Sequence, residues 1–376
     1  MDKSSVFANS CLILNAKAFL LPDANNVEKE YQNMICKNFE IHNVAELIYN
    51  DDGSVSWKRV PSEVATTMEA SMADSMIHNS TGVELRFVMK GDFATIRMST
   101  YSNDPKSFST FHVYRGGIQG GWKDHEVHRH VTGEIQDFVI EKSKNISVLK
   151  TMSDKSGYDW DPEVVRIIFD RGRYKIYDVI GDVTPPLKTQ CPRKTLLAYG
   201  SSITHGSNAI DLSHAWVSVV AHNLGMDARN LGMAGSCALE PAMAEYIASE
   251  GEKGNWDIAT LELGINVLNW EDEKIRKRTE NIIRQVAGRN FDKPIFVISP
   301  FYHCGDDNEN DRAKIWRKII EETVFRLDYK NVTYVNGLDV LGDASFMSAD
   351  EVHPNIYGVQ RIADVLTSKI RKVQIP

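Results

Sequence analysis

At 376 residues the chain exceeds the ~150 expected of one domain, and with 42% hydrophobic and 25% charged residues it reads as two globular domains, which excludes a disordered or fibrous chain. Asp and Glu outnumber Lys and Arg by 51 to 43, and the resulting net charge of −8 lacks the basic footprint of a nucleic-acid binder. No apolar run approaches the ~20 residues of a membrane span. The early apolar stretch from Cys11 to Leu21 is broken by Asn15 and Lys17 and stopped by Pro22, a poor signal-peptide core, so a cytoplasmic protein with no membrane partner is expected. Five scattered cysteines without a CxxC pair read as reduced thiols, and the sequons at Asn79, Asn145 and Asn331 then carry no weight.

In chain order, Asn26 to Phe39 reads as a helix. From Val55 to Asp182 the pattern is β: short alternating runs such as Val83 to Met89, Ala94 to Met98, Phe111 to Tyr114, Asp137 to Ile140, Val164 to Phe169 and Lys175 to Ile180 are separated by Gly, Asp and Asn. This predicts an all-β sandwich, jelly-roll-like, over residues 1–184. Pro185, Pro186 and Pro192 favour an extended connector over 185–193. From 194 to 376 apolar strands alternate with helix-length segments: strands at Thr195 to Tyr199, Ile258 to Leu263, Pro294 to Ser299 and Val332 to Val335, and helices at Ala215 to Leu224, Leu239 to Ser249, Asp272 to Ala287, Asp311 to Leu327 and Tyr357 to Lys372. Such βα alternation predicts a parallel sheet covered by helices on both faces, so the chain is α/β in class with an all-β domain in front.

In open parallel sheets ligands bind outside the carboxyl ends of the strands, so the turns there are the places to search. They carry Gly200-Ser201-Ser202-Ile203-Thr204-His205-Gly206, then Asn230 to Ser236, then Gly264-Ile265-Asn266; Asp350-Glu351-Val352-His353 precedes the last helix. Each piece alone is an ordinary turn, because Ser, Gly, Asn and Asp are common in turns for backbone reasons. Their conjunction, in this order, is the signal.

That conjunction resembles the SGNH (GDSL-type) hydrolases, in the variant whose first block reads GSSIT and which often carries an amino-terminal β-sandwich. The resemblance covers residues 194–376. It implies that Ser202 is the nucleophile, His353 the base, and Asp350 the residue that orients His353. It also implies an oxyanion hole formed by the Ser202 and Gly235 N–H groups and the Asn266 side-chain amide. Two positions depart from the family pattern: Ser201 stands where the family has Asp, and Val267 follows Asn266 where many members have Asp. Ser201 is the rival nucleophile, and the resemblance favours Ser202 as the third position of its block. Neither a metal nor an organic cofactor is implied.

Other clusters give less. His125, His128 and His130 tempt a metal reading, but on a strand only His128 and His130 would share a face, so no metal is predicted there. Gly116 to Gly121 lacks the dinucleotide-binding spacing and suits a hairpin. Trp216, Trp270, Tyr302 and His303 lie near the presumed catalytic edge but fit a core equally well. The function expected is a serine esterase acting on a small acyl ester, acetyl foremost, of a carbohydrate or other polar metabolite. The alternatives are an acyltransferase using the same acyl-serine, or a carbohydrate-binding protein with a vestigial triad. The partner is a small molecule, with no nucleic acid, and the oligomeric state is open.

Overall fold

The computed structural model describes residues 34–102, 109–307 and 312–373. Two antiparallel sheets form the amino-terminal part. The first is built on Phe39–His42, Glu84–Met89, Val164–Phe169 and Thr110–Arg115, in that order across the sheet, and the second on Gln136–Glu141, Phe93–Thr100, Tyr174–Ile180, Val55–Lys58 and Glu46–Tyr49. Alternation along the strands explains how they share one core. Leu85, Phe87, Val113 and Ile167 of the first sheet pack with Ala94, Ile96, Met98 and Ile176 of the second, all fully or almost fully buried.

The expected helix from Asn26 to Phe39 is corrected where it can be followed. Met34–Cys36 and Phe39–His42 are paired β-strands, and residues 26–33 lie outside those described. Three short helices interrupt the β pattern and were not expected: Ser62–Ala65, Ala73–Ile77 and Ile146–Ser156. The His125–His130 stretch is not a continuous strand either. His125 and His128 adopt left-handed backbone, φ 52° and 53°, and only Arg129–His130 pairs, because the chain turns here through a single 3-10 turn at Trp122–Asp124. Gly116 turns the hairpin between Thr110–Arg115 and Ile118–Gln119, as its glycines led one to expect.

The carboxy-terminal part is a five-stranded parallel sheet in the order Asp227–Gly232, Thr195–Gly200, Ile258–Glu262, Ile295–Ile298, Val332–Val335. Alternate residues of Thr195–Gly200 explain its two covered faces. Leu197 and Tyr199 pack with Met243, Ile282 and Ile320 from helices Pro241–Glu252, Asp272–Arg289 and Arg312–Leu327; Leu196 and Ala198 pack with Trp216, Val220 and Ile362 from Trp216–Leu224 and Ile356–Arg371. Asp311, the expected start of the fourth helix, lies outside the described residues.

The two parts share more than a border. Val60, Val64, Met76 and Ile77, from the segment carrying the first two short helices, sit inside the hydrophobic cluster that covers one face of the parallel sheet. Arg59, fully buried, bridges the parts by donating to the carbonyls of Met76, Asn79, Asn230 and Gly232. Arg86 on Glu84–Met89 pairs bidentately with Asp227, at 2.8 and 2.7 Å. No helix among the described residues is long and apolar enough to cross a membrane.

Candidate active site

The strand order puts the first parallel strand between the second and the third, so the chain leaves it on opposite sides and a crevice opens at its carboxyl end. Ser202 starts the four-residue helix Ser202–His205 directly after that strand. Gly200 is required here by close approach: a Cβ on it would lie 2.3 Å from Thr204 Oγ1 and 2.5 Å from Glu262 Oε2. Glu262, fully buried in the neighbouring strand, holds this turn. It accepts from the Ser201 N–H at 2.7 Å, from the Ser201 hydroxyl at 2.7 and 3.0 Å, and from the Thr204 hydroxyl at 3.0 Å. The Ser201 hydroxyl in turn accepts from the Ile203 N–H at 3.2 Å, so its hydrogen-bonding capacity is committed within the turn.

Ser202 faces the other way. Its Oγ lies 2.7 Å from His353 Nε2, and His353 Nδ1 lies 2.9 Å from Asp350 Oδ2. Asp350 is locked by its own turn: Oδ1 accepts from the backbone N–H groups of Val352 and His353, and Oδ2 also accepts from the Asn208 amide at 3.0 Å. Desolvation works against its charge, but the His353 N–H, the Ser348 hydroxyl, the Val352 N–H and the His353 ring outweigh it and hold the carboxyl well below the usual carboxylate range. A carboxylate fixed in this way selects the His353 tautomer that presents a lone pair at Nε2 to Ser202.

Of the other residues singled out, Asn266 and Gly235 come from the turns after the third and second strands. Asn266 Oδ1 accepts from the Cys237 N–H at 3.1 Å, which ties these two turns together and leaves its amide N–H2 to donate elsewhere. Gly264, at φ 117°, holds the backbone that presents Asn266 in a conformation that residues with a Cβ rarely adopt. Gly235 is left-handed at φ 63°, and its N–H makes no hydrogen bond among the described residues.

A cavity of about 530 Å³ is lined by Asp350 and His353 together with Asn79, Tyr101, Arg171 and Arg173 from the amino-terminal part. His205 also lines it; neither ring nitrogen has a partner among the described residues, and burial, with Arg59 and Arg171 nearby, pushes its pKa far down, so it faces the cavity as a neutral ring. Trp216, Trp270, Tyr302 and His303 do not line the cavity, and Trp216 is wholly within the core.

Glu262, Asn208 and Arg173 were missed by the sequence reading. Glu262 had a signal, since a carboxylate inside an otherwise apolar central strand must find partners. Burial pushes its pKa from 4.5 up to about 7, against the hydrogen bonds from Ser201 and Thr204. The folded protein therefore keeps a proton on Glu262 that the unfolded chain releases near 4.5, so stability is lost as pH rises from 4.5 to about 7. The loss from this residue is about 3 kcal/mol. Urea unfolding of the wild type and Glu262→Gln over this range is expected to reveal a decline that the variant lacks; equal slopes would refute it.

Residues 193–371 match the sequence model of the GDSL-like lipase/acylhydrolase family. No curated relative matches the chain by sequence. Among solved structures, a salicylyl-acyltransferase from a tetracycline biosynthetic pathway superposes over 92% of this chain and 98% of its own, with TM-score 0.73 at 16% identity. A protein described as a GDSL-like lipase, from Bacteroides ovatus, superposes over 90% and 99%, with TM-score 0.63 at 18% identity. A family two carbohydrate esterase from Cellvibrio japonicus superposes over 88% and 94%, with TM-score 0.59 at 13% identity. These likenesses reach across the β sheets as well as the parallel sheet, and identity this low speaks for the fold alone. Residues 193–371, just under half of the chain, are thus similar to the GDSL-like lipase/acylhydrolase family, and the fold of the whole is that of the two-part structures above.

Proposed function

We propose that the protein hydrolyses small acyl esters, acetyl foremost, carried on a carbohydrate or another polar metabolite, through an acyl-enzyme on Ser202. The reading rests on one observation above the rest, the Ser202–His353–Asp350 chain of contacts at 2.7 and 2.9 Å at the edge of a cavity. A serine hydroxyl becomes a competent nucleophile when a base takes its proton during attack. His353 Nε2 is the base; Asp350 steadies the imidazolium that results. The carbonyl oxygen gains negative charge as the Ser202 Oγ–carbon bond forms, and the Ser202 N–H, the Gly235 N–H and the Asn266 amide donate to it. His353 then returns the proton to the departing alcohol. Water repeats the sequence on the acyl-serine, releasing the acid and restoring Ser202.

The carrier's polarity is supported by the groups around the cavity. Asn79, Ser207, Asn208 and Arg173 offer the amide, hydroxyl and guanidinium contacts that a polyhydroxyl compound uses. The carbohydrate esterase named above shares both parts of the architecture. Acyl transfer is the second reading, favoured by the acyltransferase with the same two-part fold; the acyl-serine is common to both, and only the acceptor differs.

A fluorophosphonate probe is expected to label Ser202, mapped by mass spectrometry. An ester panel should give acetyl esters the highest kcat/KM, and a preference for long acyl chains would overturn the small-acyl reading. Product analysis with added alcohols and amines separates transfer from hydrolysis.

A further inference from the structure

One cluster of side chains lies outside the chemistry above and joins the two parts of the molecule. His112 on strand Thr110–Arg115, His128 on the turn beyond it, and Asp211 on the loop after the Ser202 helix each present one donor atom, and these atoms lie within 4.8 Å of one another. His112 is only 2% exposed, and its Nε2 has no hydrogen-bond partner among the described residues. That nitrogen faces Asp211 Oδ2 at 3.6 Å, too far for a hydrogen bond. Its Nδ1 meets the His128 N–H at 3.5 Å, the weak limit of such a contact, so little holds the ring's proton in place.

Asp211 spends one oxygen chiefly on its own turn and turns the other toward imidazoles. Oδ1 accepts from the Ser213 N–H at 2.8 Å, the Ser213 hydroxyl at 2.6 Å and the His214 N–H at 3.1 Å. Oδ2 is turned to the imidazoles, with His214 Nδ1 at 3.0 Å and His112 Nε2 beyond it. The His128 ring stands edge-on to His112, with centroids 4.4 Å apart, and is exposed, so it can approach. Three imidazoles around one buried carboxylate oxygen, one of them with an orphaned nitrogen, form a nitrogen-and-oxygen donor set that suits zinc.

We propose that His112, His128 and Asp211 bind a divalent transition metal, zinc foremost, with His214 or water completing the coordination. Zinc bonds of about 2.0–2.2 Å place tetrahedral donors roughly 3.4 Å apart, so the cluster tightens by about 1 Å on loading, chiefly through His128. The metal pins the loop bearing Asp211 to the β sheet. Asn208, three residues earlier on that loop, donates to Asp350, so the same pin steadies a residue that positions the proposed triad.

The test uses the full-length protein, stripped with a chelator and titrated with zinc, then with cobalt for its absorption bands. The wild type is expected to take up one equivalent, give a tetrahedral cobalt spectrum and unfold at higher temperature with zinc. His128→Asn, which tolerates the left-handed backbone but removes the imidazole, should weaken binding at least about tenfold and lose the thermal shift. His353→Ala should retain both. No uptake by the wild type, or uptake untouched in His128→Asn, overturns the proposal. Neither result depends on ester hydrolysis, so the failure of one reading leaves the other standing.

Discussion

Ser202→Ala is expected to lower kcat for ester hydrolysis by roughly 10⁴- to 10⁶-fold, with KM little changed, because the group that bonds to the acyl carbon is lost while the cavity remains. His353→Ala should cost a similar factor, since without the base the hydroxyl stays protonated, and the double variant should be no worse than either, as expected of groups acting as one unit. Asn266→Ala should lose roughly 10² to 10³ in kcat, the price of one oxyanion donor, and keep its fluorophosphonate adduct. Ser201→Ala separates the two adjacent serines. Its hydroxyl is bound to Glu262, so its loss should loosen the turn and lower stability while labelling persists at residue 202. Steady-state kinetics on an acetyl ester, with active-site titration to count competent enzyme, decides the matter. Full activity in Ser202→Ala would remove the mechanism proposed above.

The second large effect is on stability. Arg86→Met is expected to destabilise the protein by about 3–5 kcal/mol at neutral pH, because it strands carboxylates that the guanidinium neutralises. Arg86 is fully buried; it pairs with both oxygens of Asp227, with Glu84 at 2.8 Å and more loosely with Glu40 at 3.5 Å. Burial opposes the charge on Asp227, but the Arg86 guanidinium outweighs it and holds the carboxyl well below its ordinary range. In the wild type, an acid so depressed adds stability above its unfolded value and loses it as pH falls. In the variant, Asp227 can escape its unpaired charge by taking a proton, so the deficit should shrink toward pH 5. Denaturant unfolding of both proteins at neutral and acid pH measures this. A deficit below about 1 kcal/mol at neutral pH would mean that Arg166, which also pairs with Glu84, compensates.

Legibility in the sequence followed the range of the interactions involved. The parallel sheet could be read because each strand is buried on both faces and each helix has length and an apolar stripe; the expected ends agree with the observed ones to within a few residues at Trp216–Leu224, Asp272–Arg289 and Ile356–Arg371. The strands of the β sheets were likewise visible in their alternation. Asn26 to Phe39 misled because Met34–Cys36 is fixed by pairing with Phe39–His42, and that strand by pairing with Glu84–Met89, some 45 residues away, which no local propensity reports. The histidines at 125–130 misled for a related reason: they were read as one strand, whereas His125 and His128 are left-handed and only Arg129–His130 pairs, with Thr110 and Phe111 some twenty residues earlier. For the site, the positions of Ser202, Asn266 and His353 relative to strand ends could be anticipated from order along the chain. Glu262 was legible only as a carboxylate in need of partners, and Asn208 and Arg173 were not legible, because their neighbours come from distant parts of the chain.

The placement of Val60, Val64, Met76 and Ile77 within the core beneath the parallel sheet has a practical meaning. The region that carries the hydrolase signature is not a cartridge that can be lifted out at the proline-rich connector. Excising everything before Lys194 would unroof one layer of its helices and sever the guanidinium strap of Arg59, leaving a sticky wound where a wall had been. For this chain, the β-rich half and the half with the parallel sheet are best expressed and engineered together.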